Sequence, residues 1–178
     1  LDIQTICPLH GPVLKEDLGH YIDKYNIWSS YGVESEGVFI AYASVYGNTR
    51  KAADMLASKL ADKGVHVTVS DLSRDDWAEC LEDAFRYGKL VLAAPTYNAD
   101  VFPAMKEFIN HLTERNYQNR TIGIIENGSW APMAAKVMKG MFEKSKNITF
   151  AENTVTVRSA VNAANEAQIE ALAEELKG

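Results

Sequence analysis

The sequence is short of cysteine, proline and positive charge, and it has no long apolar run. Each shortage excludes something. The two cysteines, Cys7 and Cys80, stand far apart and match no metal-ligand spacing. They read as free thiols in a reducing, cytoplasmic setting. No stretch approaches the roughly 20 apolar residues that a membrane-spanning helix needs. The opening Leu-Asp-Ile-Gln-Thr has neither the basic start nor the apolar centre of a signal peptide, and it lacks an initiator Met. The first residue therefore reads as an artificial boundary. Lys and Arg number 18 against 24 Asp and Glu, a formal net charge of −6. That leaves no basic footprint for nucleic acid. A small phosphate ligand stays possible, because backbone N–H groups at a helix start can hold one without side-chain charge.

What is present is enough chain, 178 residues, for one well-buried core. Residues 1–36 are irregular, punctuated by Pro8, Gly11, Pro12, Gly19 and Gly32, with one polar helical stretch from Lys15 to Lys24. From Gly37 onwards apolar runs alternate with amphipathic stretches. Strands are expected at 38–43, 65–69, 90–94 and 121–125, and a fifth at 148–157. Helices are expected at 49–63, 75–87, 103–114, 132–144 and 166–176, with Pro103 and Pro132 in first turns and Gly64 closing the first of them. Strands apolar throughout are buried on both faces, which implies a doubly wound α/β fold with a five-stranded parallel sheet. Five such units suit the order 2-1-3-4-5, whose ligands bind beyond the carboxyl ends of the strands, where the first and third are neighbours.

Three segments follow those strand ends. The first is Ser44-Val45-Tyr46-Gly47-Asn48-Thr49. Its hydroxyls, its single Gly and the helix start behind it suit a terminal monophosphate. It is neither a dinucleotide fingerprint with three glycines nor a nucleotide P-loop with its Lys. Read alone, it is equally a plain turn with a helix cap at Asn48 or Thr49. The second is Pro95-Thr96-Tyr97-Asn98-Ala99-Asp100, and the third is Glu126-Asn127-Gly128-Ser129-Trp130-Ala131-Pro132. Tyr97 and Trp130 offer flat surfaces, and Thr96, Asn98, Asn127 and the Gly128-Ser129 backbone offer hydrogen bonds. Together the three suit a flat heteroaromatic ring with a phosphate tail. Asp100 and Glu126 lie near the expected ring edge and read as solvated loop carboxylates.

Ser44-Val45-Tyr46-Gly47-Asn48-Thr49 resembles the phosphate loop of flavodoxins: Ser or Thr, any residue, Thr or Tyr, Gly, any residue, Thr. Pro95-Thr96-Tyr97-Asn98 and Asn127-Gly128-Ser129-Trp130 resemble the second and third flavin loops. The resemblance covers residues 37–178 and implies a flavodoxin-like, FMN-binding domain. Ser44, Val45, Tyr46, Gly47, Asn48 and Thr49 would then surround the phosphate. Pro95, Thr96, Tyr97, Asn98, Asn127, Gly128, Ser129 and Trp130 would surround the isoalloxazine. The third loop departs from the Gly-Ser-Tyr-Gly-Trp type of many relatives, which weakens the stacking role of Trp130.

Residues 1–36, with Ile6-Cys7-Pro8-Leu9-His10-Gly11-Pro12, Tyr25 and Trp28-Ser29, are similar to the junction in flavodiiron proteins. There a metallo-β-lactamase-like diiron domain precedes the flavodoxin domain. The resemblance implies electron transfer through FMN to a diiron site that reduces O2 or NO. That site would lie in the same protein or a neighbouring subunit, and a rubredoxin or a flavin reductase would be the donor. It makes His10 an iron ligand only in a full-length protein, since a lone His holds no diiron centre. No metal, nucleic acid or membrane is expected of this chain. The competing reading within the fold is an FMN-dependent NAD(P)H:quinone reductase.

Overall fold

The computed structural model describes residues 1–178. In chain order its elements are α1 (Leu18–Ser29), β1 (Ser35–Tyr42), α2 (Asn48–Asp62), β2 (Val67–Asp71), α3 (Trp77–Arg86), β3 (Tyr87–Tyr97), β4 (Asp100–Val101), α4 (Pro103–Glu114), β5 (Arg120–Asn127), α5 (Ala134–Met141), β6 (Ile148–Phe150), β7 (Val155–Val157) and α6 (Ala163–Lys177).

The sheet runs β2-β1-β3-β5-β6, with β7 also on β5 and the short β4 turned back on β3. All pairs are parallel except β3 with β4. The five expected strands thus lie in the expected order, with two differences in detail. One is the added antiparallel β4. The other is that the expected fifth strand is broken. After Ala151 donates to Ile122 O, the N–H groups of Glu152 and Asn153 turn to the Glu175 carboxylate of α6, at 2.6 and 3.1 Å. A side chain there replaces the ladder, and β6 and β7 result.

Strand residues alternate between the two faces. Phe39 and Ala41 of β1 join the core under α3, α4 and α5. Val38 and Ile40 join the core under α2 and α6. Each fully buried Ile, Leu or Phe contributes about 1.5–3 kcal/mol. With a core on both sides, β1, β3 and β5 are fixed in register, and their carboxyl ends form one rigid edge.

Several helix boundaries need correction. The helix expected from 75 starts at Trp77 behind the cap Asp76, and the one expected from 166 starts at Ala163 behind a capping box on Asn162. The first helix starts at Leu18, after Asp17 in the left-handed region (φ 50°), and runs on to Ser29. Its second half is pinned where Lys24 Nζ and Trp28 Nε1 both donate to the Glu34 carboxylate, each at 2.7 Å. The helix expected from Pro132 begins at Ala134 and ends at Met141. Pro132 stays in the loop, packed against Gly128. A Cβ on Gly128 would stand 2.8 Å from Pro132 Cα.

The buried Arg120 ties the start of the chain to the sheet. Nη1 donates to Tyr31 O at 2.8 Å, and Nη2 donates to Gly32 O at 2.9 Å and Phe85 O at 2.6 Å. Burial pulls its pKa below the usual guanidinium value. No helix is long and apolar enough to cross a membrane.

Candidate cofactor site at the strand ends

A cavity of about 370 Å³ opens at the carboxyl ends of β1, β3 and β5. Its lining includes Ser44, Val45, Tyr46, Asn48 and Thr49 from the first loop, Pro95, Thr96 and Tyr97 from the second, and Asn127, Gly128 and Ser129 from the third. The size is within the range of cofactor sites. The structure therefore brings three segments, widely separated in sequence, around one space.

The first loop is built to leave donors free. Gly47 precedes α2 with φ +84°, a conformation that favours glycine, and no side chain caps the helix. The first intrahelical bond runs from Lys51 N to Gly47 O at 2.9 Å. The N–H groups of Asn48, Thr49 and Arg50 come before it and have no intrahelical acceptor. They point along the positive end of the helix dipole, where an anion is stabilised. Ser44 Oγ accepts from Gly47 N at 3.1 Å and holds the turn, while its own O–H proton stays available. Thr49 is 2% exposed at the base of the loop. The cap that the plain-turn alternative would put at Asn48 or Thr49 is absent: both residues already belong to the helix.

The second loop is a tight hairpin. Asn98 and Ala99 both have positive φ, 52° and 59°, between the paired Tyr97 and Asp100. That turn directs Asn98 away, and it is not among the lining residues. Tyr97 meets Phe102 edge to face, with ring centroids 5.8 Å apart. Thr96 has a second duty. Its Oγ1 accepts from Met133 N at 2.8 Å and Ala134 N at 3.1 Å, so it caps α5 and keeps only its proton to donate.

In the third loop Asn127 clamps a neighbour. Its Nδ2 donates to Ser159 O, and its Oδ1 accepts from Ser159 N, each at 3.1 Å. Trp130 is 88% exposed and does not line the cavity. Gly47 is also outside the lining.

Two lining residues were not expected from the sequence, Phe102 and Ser159. The signal for Ser159 was its place after the last strand, at the same sheet edge. The signal for Phe102 was its place just before the helix-opening Pro103. Asp100 is partly exposed as expected. Lys106 at 2.5 Å, and then the N–H of Val101, hold its carboxyl below the usual range. Glu126 differs from expectation: it is 7% exposed and fully hydrogen-bonded, facing α5 rather than solvent.

A larger hollow of about 660 Å³ lies at the opposite end of the sheet, lined by Asn116, Gln118 and Lys146 among others. There α4 and α5 end, and helix carboxyl ends disfavour an anion. No group of three or more His, Cys, Asp or Glu is placed to hold a metal ion.

The sequence matches a family model described as "Flavodoxin domain" over residues 39–160. It is similar to a nitric oxide reductase of Moorella thermoacetica, 26% identical over 158 residues, which is 89% of this chain and 39% of that protein. The structure is similar to the rubredoxin oxygen:oxidoreductase of the anaerobe Desulfovibrio gigas, with a TM-score of 0.90 at 20% identity over 98% of this chain and 43% of that one. It is also similar to a flavodoxin of Streptococcus pneumoniae TIGR4, with a TM-score of 0.66 at 26% identity over 78% of this chain and 96% of that one. The chain thus spans less than half the length of the first two.

Proposed function

The chain belongs to the flavodoxin domain family, and from that premise we propose that its strand-end cavity holds FMN noncovalently and that the chain carries electrons through it. The observation that carries the proposal is the uncapped start of α2, opening into a cavity that the other two loops complete. The residues fit the cofactor. A phosphate meets the N–H groups of Asn48, Thr49 and Arg50 and the hydroxyls of Ser44 and Thr49. A ring meets Tyr97, the Thr96 O–H and the backbone of Gly128 and Ser129, with Tyr46 at the mouth, 91% exposed. Bound FMN supplies the one- and two-electron chemistry. The protein binds it, orients it and sets the surrounding charge. The excess of acidic residues disfavours extra negative charge on the ring and so lowers its potential.

In the whole protein the electrons go to a diiron site that reduces O2 or NO, in the same protein or a neighbouring subunit. The donor is a rubredoxin or a flavin reductase, and the setting is cytoplasmic. The names of the oxygen:oxidoreductase and the nitric oxide reductase support this reading. Residues 1–36 serve as tail and linker from a metallo-β-lactamase-like diiron domain to residues 37–178, with His10 an iron ligand only in that larger protein.

The test is reconstitution with FMN followed by absorbance. Binding in the micromolar range or tighter is expected, and its absence contradicts the proposal. NAD(P)H-driven turnover without a partner protein would turn the reading toward a quinone reductase.

A further inference from the structure

Glu126 sits where a carboxylate is costly. It is 7% exposed, and no Lys, Arg or His forms an ion pair with it. A charged group out of water needs its hydrogen bonds made by the protein. Both oxygens accept: Oε2 from Ala135 N at 2.9 Å, and Oε1 from Thr156 Oγ1 at 3.0 Å. Beside it, Thr96 Oγ1 takes Met133 N and Ala134 N. Three consecutive N–H groups at the start of α5 are therefore taken by two side chains, one from the end of β3 and one from the end of β5.

This arrangement fixes the third loop from its far side. Successive strand residues face opposite ways, so Asn127 faces Ser159 while Glu126 faces α5. The loop 128–132 is held at its first residue, where Gly128 N donates to Val157 O at 3.0 Å. Its other end packs Pro132 against Gly128 and is hydrogen-bonded to the sheet through residues 133–135. We infer that Glu126 is a positioning residue for the ring side of the cavity. It never touches the ligand; it anchors the start of α5 and so sets where Gly128 and Ser129 present their backbone. The inference rests on the FMN reading of the cavity.

The test titrates the parent protein and the variants Glu126→Ala, Glu126→Gln and Thr156→Val with FMN and with riboflavin, following flavin fluorescence. Circular dichroism checks that each variant folds. Glutamine keeps an acceptor for Ala135 N–H and offers an N–H to the Thr156 hydroxyl. Glu126→Ala is expected to weaken FMN and riboflavin by the same factor, about tenfold or more, since the phosphate loop is untouched. Glu126→Gln should stay within about threefold of the parent, and Thr156→Val should lie between. Thr156→Val decides the matter if Glu126→Ala does not fold. Parent-like binding by the deciding variant overturns the inference. So does a loss that glutamine does not restore, or a loss confined to FMN. If the parent itself binds no FMN, the reading of the cavity fails first, and the inference falls with it.

Discussion

The starts of α2 and α5 face the same sheet edge and are built oppositely. At α2 a glycine with positive φ leads in, no side chain caps the helix, and three N–H groups stay open. At α5 the hydroxyl of Thr96 and the carboxylate of Glu126 close the N–H groups of Met133, Ala134 and Ala135. Both helix starts carry the same dipole. Only the open one can take a ligand's phosphate; the closed one acts as masonry for the loop beside it. A helix start is thus a binding site or a joint according to whether the chain supplies its own acceptor.

The comparison is sharpened first at the closed end. Thr96→Val removes the acceptor for two N–H groups and should lower the unfolding free energy by about 2 kcal/mol, read by urea denaturation. Next comes the hairpin between the two ends. Ala99 holds a left-handed conformation that costs an alanine about 1 kcal/mol. Ala99→Gly should raise stability by about that amount with FMN affinity kept. At the open end, Ser44→Ala should change the stability of the cofactor-free protein by less than about 0.5 kcal/mol, since it removes one exposed turn contact. A loss there as large as at Thr96 would break the contrast.

The smallest effect belongs far from both ends. Lys59 and Lys63 each donate to Glu170 at 2.6 Å and lower its pKa from 4.5 to about 2. A depressed carboxyl pKa stabilises the fold above the unfolded value and loses that contribution as pH falls through the folded value. The parent should therefore exceed Glu170→Gln in melting temperature above pH about 4.5, with the gap closing toward pH about 2. FMN affinity should not change.

Local rules reached the open end and missed the closed one. The loop, the turn at Gly47 and the helix start of residues 44–49 could be read because they are neighbours in sequence. The parallel sheet followed from apolar runs buried on both faces, and its order from five successive strand–helix units. The roles of Thr96 and Glu126 could not be read, because their partners lie nine to 38 residues away. The break between β6 and β7 depends on Glu175, 22 residues beyond Asn153. Arg120 is bound to carbonyls as far as 89 residues away. Trp130 reads as a stacking partner from its type and its place in the third loop, but which way an exposed loop side chain turns is not a local property of the sequence, and it stands 88% exposed outside the cavity.

The most direct test of the open helix start compares FMN with riboflavin on the double variant Ser44→Ala, Thr49→Ala. The two ligands share the ring and differ in the phosphate. Two hydrogen bonds to a charged phosphate contribute about 3 kcal/mol or more, so FMN affinity should fall about 100-fold while riboflavin affinity stays within about threefold. An equal loss for both ligands, or no loss for FMN, would contradict the placement of the phosphate at α2.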